Sequence, residues 1–174
     1  ADHDDISCLD RIEKQLNYMK ENPSLSLAGS WEIEIDENNN QKRSSSETGI
    51  LNYGNYLGSV LISYAPLWHP SLIINRVDLI ESGGFNSEYV RAEDGELTSR
   101  MALLRYNAGV VPDYLVLVRN HRNNQTNVFN DEMRAMNNRI HYESINYFLN
   151  SRESEQLCEF LNLGIIRRRI INKV

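Results

Sequence analysis

Apolar positions along the chain switch between two periods. Leu9, Ile12, Leu16 and Met19 recur at the spacing of one helix face, which predicts a helix over 8–20. Ser7 is its expected N-cap, with Asp10 three residues on as a variant of the capping box, and Asn22-Pro23 is its stop. Trp31, Ile33 and Ile35 then alternate with Glu32, Glu34 and Asp36, the pattern of a half-buried strand. Residues 37–49 are polar (Asn38-Asn39-Asn40, Ser44-Ser45-Ser46) and are expected to form a mobile surface loop. The stretch 50–67 suits helix or strand, and a helix ending before Pro66 is the preferred reading.

His69-Pro70-Ser71 breaks the pattern, and the apolar 72–74 reads as a short buried strand. Residues 76–82 have room for about two helical turns, ended by Gly83-Gly84, since glycine is the usual residue past a helix C-terminus. A helix over 93–107 follows, with Leu97, Met101 and Leu104 inward and Gly109 closing it. The β-rich 110–118 contains Pro112, which suggests an edge or an entry point. Helices are expected over 131–149 and from 153 to the end. There are no internal repeats. Alternating strands and helices predict an α/β fold with a helical C-terminal extension.

A chain of 174 residues is long enough for one domain with a real core. Its 41% hydrophobic and 24% charged residues are those of an ordinary soluble globular protein. The net charge of −6 weighs against nucleic acid as a partner, because phosphate binding wants a basic surface. Cys8 and Cys158 lie far apart and fit no metal-ligand spacing, so they read as reduced thiols of a cytoplasmic protein. These residues contain no apolar run near the ~18 needed to span a bilayer and no signal-peptide pattern. The basic stretch 165–174 fits a helix lying on a membrane surface. The spacing of Ile166, Ile170 and Val174 also fits a helix packed on its own domain, which is the preferred reading.

Chemistry enters with the opening, Asp2-His3-Asp4-Asp5. Like charges this close repel, so a folded chain keeps them together only with something positive among them, for which a hard divalent cation with oxygen ligands is a natural candidate. An extended backbone would point Asp2 and Asp4 to one side. An acidic tail or a solvated helix cap explains the same residues without a ligand. Three further features follow in order: His69-Pro70-Ser71, Gly83-Gly84-Phe85 with Glu93-Asp94, and Arg119-Asn120-His121.

Together these resemble the family-two inverting glycosyltransferases of GT-A fold, enzymes that build bacterial surface polysaccharides. The family's DADD motif and its following "slPxRLxxQ" helix are similar to Asp2-His3-Asp4-Asp5, then Ser7, Arg11, Glu13, Lys14 and Gln15. Its HPS segment with a later arginine matches His69-Pro70-Ser71 and Arg76. Its "GGF/Y…ED" acceptor segment matches Gly83-Gly84-Phe85…Glu93-Asp94. Its YRxH strand is matched in part by Val118-Arg119-Asn120-His121, with valine in place of tyrosine. The resemblance covers roughly residues 1 to 125, leaving 126–174 as the helical extension.

The resemblance implies a nucleotide-sugar donor, UDP- or another NDP-sugar, and a saccharide or lipid-linked acceptor. Asp2 and Asp4 would hold Mn²⁺ or Mg²⁺ on the donor diphosphate, with Asp4 the direct ligand and His121 a further one. Asp94 would be the general base, since inverting transfer is a single displacement that needs one carboxylate. Gly83 and Gly84 would let backbone approach the acceptor, with Glu93 beside them, and His69 would order a loop. Helix-start acids, a helix C-cap and a surface histidine explain Glu93, Asp94, Gly83, Gly84 and His121 without any ligand. In the family the aspartate motif sits mid-domain, after a nucleotide-binding half that has no counterpart here. The chain is therefore expected to correspond to the C-terminal half of such a domain, to bind donor weakly alone, and to self-associate through an unpaired sheet edge. A non-catalytic carbohydrate-binding or assembly module, or a structural cation-binding domain, are the competing readings.

Overall fold

The computed structural model describes residues 3–45, 49–62, 67–122, 124 and 128–150. Asp2, and the helix expected from 153 onward with its basic stretch 165–174, lie outside them. Two long parallel strands form the spine, β2 (Leu25–Ile35) and β6 (Asn107–Arg119). Four short strands complete a mixed sheet around them. These are β1 (Ile6–Ser7) and β4 (Gly49–Leu51) antiparallel to β6, with β3 (Gln41–Ser45) and β5 (Ile73–Ile74) antiparallel to β2. The helices are α1 (Arg11–Glu21), α2 (Tyr53–Leu61), α3 (Arg76–Glu81), α4 (Glu93–Leu103) and α5 (Asn130–Asn150), with a 3-10 turn over His69–Ser71. The architecture is α/β, an open mixed sheet flanked by helices, and it is compatible with a partial GT-A fold.

The sheet's spine is where the core forms. Every residue from Leu25 to Ser30 is buried, because β2 is paired on both edges. Leu27, Ala108 and Val110 pack with Tyr56 of α2 and with Leu97 and Met101 of α4. Phe148 of α5 packs with Leu57 and Leu61 of α2, and Ile140 of α5 with Tyr89 and Ala92 ahead of α4.

Several elements depart from the sequence reading for identifiable reasons. The apolar stripe of α1 faces outward: Leu9, Ile12 and Leu16 are exposed, while Arg11 and Gln15 are buried. Hydrogen bonds explain the inversion. Gln15 Nε2 donates to the carbonyl of Ser71 at 2.6 Å and Arg11 Nε donates to Gln15 Oε1 at 3.1 Å, so the inward face of α1 is polar and satisfied. Ser7 is not a cap but part of β1, and its hydroxyl accepts from Arg11 Nη1 at 2.9 Å. The expected loop over 37–49 begins as a hairpin. Asp36 Oδ1 accepts from the amides of Asn38 and Asn40, Asn39 takes the left-handed conformation (φ 67°), and β3 returns along β2.

The ambiguous stretch after it holds both readings, β4 and then α2, separated by Asn52, whose side chain accepts from Asn55 N. The short strand β5 is half-buried, not buried. α4 stops at Leu103, with Leu104 exposed and Arg105 turning at φ 71°, and Gly109 lies inside β6. Pro112 does not mark an edge strand. It sits in the gap between the β4 and β1 pairings on one side of β6, beside a register shift against β2 on the other, so its missing N–H interrupts no ladder bond.

Candidate functional site

The acidic opening and the end of β6 meet. Pairing of Ile6 with Leu117 runs β1 back along β6, which carries Asp4 to the segment just past Arg119. His121 Nε2 and Asp4 Oδ2 are 2.7 Å apart. The His121 ring holds the Asp4 carboxyl below its ordinary range, so Asp4 is the acceptor and Nε2–H the donor. The loop is set by Asn124, whose Nδ2 donates to the Arg119 carbonyl at 2.8 Å and whose Oδ1 accepts from His121 N at 2.8 Å.

Arg119 supplies positive charge among these acids. Its amide donates to Asp5 Oδ1 at 3.0 Å and its Nε to the Asp4 carbonyl at 3.2 Å, while its fork reaches the β2–β3 turn. Beside His121 lies a shallow hollow of about 350 Å³, lined by Asp36, Asn38, Lys42, Asn120 and Arg122. Asp36 is engaged by its own turn, accepting from Asn38 N, Asn40 N and Asn40 Nδ2.

The Asp4 carboxylate suits Mn²⁺ or Mg²⁺, and the His121 imidazole, a borderline donor, suits Mn²⁺ better. The Asp4–His121 hydrogen bond uses the Nε2 proton, so His121 would join Asp4 in a donor set by giving that proton up. Among the described residues, no group of three or more His, Cys, Asp or Glu side chains is placed to hold a metal ion, and the third expected donor, Asp2, lies outside them.

Of the other expected residues, two follow α3 and two open α4. Gly83 and Gly84 end α3 in the left-handed region, with φ 98° and 67°. Arg100 of α4 donates to the carbonyls of Ser82 and of Gly84 (2.5 Å), and it is gripped by the nearly buried Glu96 at 2.7 and 3.0 Å. The glycine turn is thereby tied to the helix that carries Glu93 and Asp94, both half-buried in its first turn. α5 braces the same turn from outside. Arg91, at φ 65°, lies 3.7 Å over the Phe129 ring and pairs with Glu132 at 2.5 Å, while Arg139 lies 4.5 Å over Tyr89. His69 is exposed at the start of the 3-10 turn and joins neither group; the residue of that motif that is used structurally is Ser71.

Sequence reasoning missed Glu32. It alternates with apolar residues as a solvated residue would, yet it is 4% exposed. Burial pushes its carboxyl up to about 7, opposed by the Ser71 hydroxyl and by Arg11, with Asp5 adding to the rise. The continuous burial of β2 was the available signal, in the unbroken run from Leu25 to Trp31 with its two small polar residues.

No protein-family model matches the chain. It is 30% identical over 156 residues to an uncharacterized glycosyltransferase of Haemophilus influenzae, covering 86% of this chain and 48% of that protein. It is 27% identical over 118 residues to the amylovoran biosynthesis glycosyltransferase AmsE of Erwinia amylovora, covering 68% of this chain and 42% of AmsE. Both relatives are named glycosyltransferases, which supports a glycosyltransferase relationship. The chain spans about half the length of the curated relatives it matches. Among the described residues, no helix is long and apolar enough to cross a membrane.

Proposed function

We propose that the chain is part of an inverting, metal-dependent glycosyltransferase of family two that moves a sugar from a nucleotide-sugar to a saccharide or lipid-linked acceptor, in surface polysaccharide synthesis. The observation that carries this is the 2.7 Å contact of Asp4 with His121, two residues separated by most of the chain and singled out by the resemblance as ligands of one ion. The two named relatives support the same class.

Asp4 and His121, with Asp2, would hold Mn²⁺ or Mg²⁺, which when bound neutralises charge on the departing nucleoside diphosphate. Asp94 accepts the proton of the acceptor hydroxyl. The acceptor oxygen then bonds to the anomeric carbon from the face opposite the breaking bond to the diphosphate oxygen, and the configuration inverts. Arg100 and Glu96 hold the Gly83-Gly84 turn against the helix of Asp94, which keeps the acceptor side of the site in one piece.

The test is release of nucleoside diphosphate from a panel of nucleotide-sugars by the protein, with Mn²⁺ or with EDTA. Release should need the metal, and Asp94→Asn should lower it by at least about a hundredfold, the usual contribution of a general base. Release unaffected both by EDTA and by Asp94→Asn would remove the proposal.

A further inference from the structure

Arg119 touches two segments that are distant from it in sequence. Nε donates to the Asp4 carbonyl, Nη1 to the carbonyls of Asp36 (2.9 Å) and Glu37 (3.4 Å), and Nη2 to Asn39 Oδ1 at 2.8 Å. Its own amide is bonded to the Asp5 carboxylate, and its carbonyl is taken by Asn124, which also holds the amide of His121. Asn39 stands in the left-handed region (φ 67°), which asparagine tolerates in turns, and its side-chain oxygen accepts from Arg119. The guanidinium thus spends its fixed fork on placing backbone. It leaves the Asp4 carboxylate to His121.

We propose that Arg119 is a positioning residue that locks Asp4, His121 and the β2–β3 turn into one unit, so that the turn and the hollow beside it belong to the same site as the Asp4–His121 pair. The geometry explains why an arginine is needed. Its planar fork reaches Asp4 on one side and the turn on the other at once, and a lysine, with a single ammonium, can serve only one of them. Positive charge alone would be satisfied by either.

Two variants and two readouts test this on the ligand-free chain. Arg119→Lys keeps the charge and loses the fork; Asn39→Gly removes a single acceptor, suits the left-handed backbone and serves should the first fold poorly. The readouts are amide hydrogen exchange at Asn38, Asn39 and Asn40, and the imidazole nitrogen resonances of His121, assigned with His121→Gln. In Arg119→Lys the turn amides should exchange on the order of tenfold faster. The His121 signals should move in the same variant toward those of a histidine without a carboxylate partner. The α4 amides should stay unchanged. Asn39→Gly should give a smaller shift of both readouts together. Ser44→Ala, farther along the same hairpin and outside the clamp, should change neither. The proposal is overturned if the turn loosens while His121 keeps its signals, if neither readout moves, or if α4 loosens equally, which would make Arg119 a general fold residue. Only the link to donor binding rests on the transferase reading. Because no donor or metal is used, failure of the clamp leaves Asp94-dependent transfer standing, and the reverse also holds.

Discussion

Replacing Glu32 by glutamine isolates a pH effect that the structure places near neutrality. Glu32 lies in β2 with the Ser71 hydroxyl and the Arg11 guanidinium beside it and Asp5 near. Its carboxyl is raised from the ordinary 4.5 to about 7, chiefly because burial penalises the charged form. A group raised in the folded state binds its proton more tightly there than in the unfolded chain. It therefore adds stability that is fully present below pH 4.5 and is lost as the pH rises through about 7. At 1.36 kcal/mol per unit the whole effect is about 3 kcal/mol, of which roughly 2 to 3 falls between about pH 5 and pH 8. Asp10, Asp36 and Glu143 are shifted the other way and act below that window. The assay is urea unfolding at half-unit steps of pH for the native chain and for Glu32→Gln. Glutamine keeps shape and an acceptor for Ser71 but cannot ionise, so the difference between the two proteins should change by about 2 kcal/mol or more across the window. The change in that difference is the test, because removing a partner of buried Arg11 offsets the level at every pH. A constant difference from pH 5 to 8 would refute the assignment of a neutral, buried Glu32.

Gly109→Ala should be strongly destabilising, by about 1 to 3 kcal/mol, because its new methyl would meet Leu25 Cδ1 at 2.7 Å and Tyr18 Cε1 at 2.8 Å; thermal unfolding measures it. Leu97→Ala empties part of the core at the α4–sheet contact and should cost about 2 to 5 kcal/mol in urea titrations. Leu9→Ser and Ile12→Ser, by contrast, should change stability by under about 0.5 kcal/mol, since both side chains already face outward; a loss of several times that would mean that α1 is turned the other way.

What the sequence made legible follows from how local each signal is. α3 was readable because its ends are local chemistry: Asn75 caps Val77 and Asp78 amides, and Gly83-Gly84 supply the left-handed turn. α4 began where its acidic first turn said it would. The polar stretch after β2 looked like loop because β3 lies at the sheet's margin, although Asp36-Glu37 followed by three asparagines is a turn signal. Pro112 misled because its strand is central but has a gap in its pairing just there. In the candidate site, Asp4 and His121 could be paired from the resemblance, whereas the work of Arg119 could not. All partners of its guanidinium are backbone atoms or lie in the turn that read as loop.

The face that α1 turns inward has a consequence for the acidic opening. A helix with Leu9, Ile12 and Leu16 available would ordinarily bury them. This one buries Arg11 and Gln15, and the bonds they make run from the Ser7 hydroxyl through Arg11 and Gln15 to the Ser71 carbonyl, while Ser71 Oγ accepts from Ser30 N at 3.1 Å. Ser7 stands two residues after Asp5, and Ser71 closes the turn that opens on His69. Two motifs 60-odd positions apart are thus linked by a chain of hydrogen bonds that is buried from Arg11 to Ser71, where no member can be shifted singly without stranding a polar group. Arg119 fixes the acidic segment from the side of β6, and this network fixes β1 and its continuation into α1 from the other. Asp4 is held between two polar anchors rather than by hydrophobic packing, and such anchors specify direction, which packing of Leu9 or Ile12 would not. That accounts for β1 being only two residues long: its place is set at both flanks, so the ladder with Leu117 and Val116 needs to supply little.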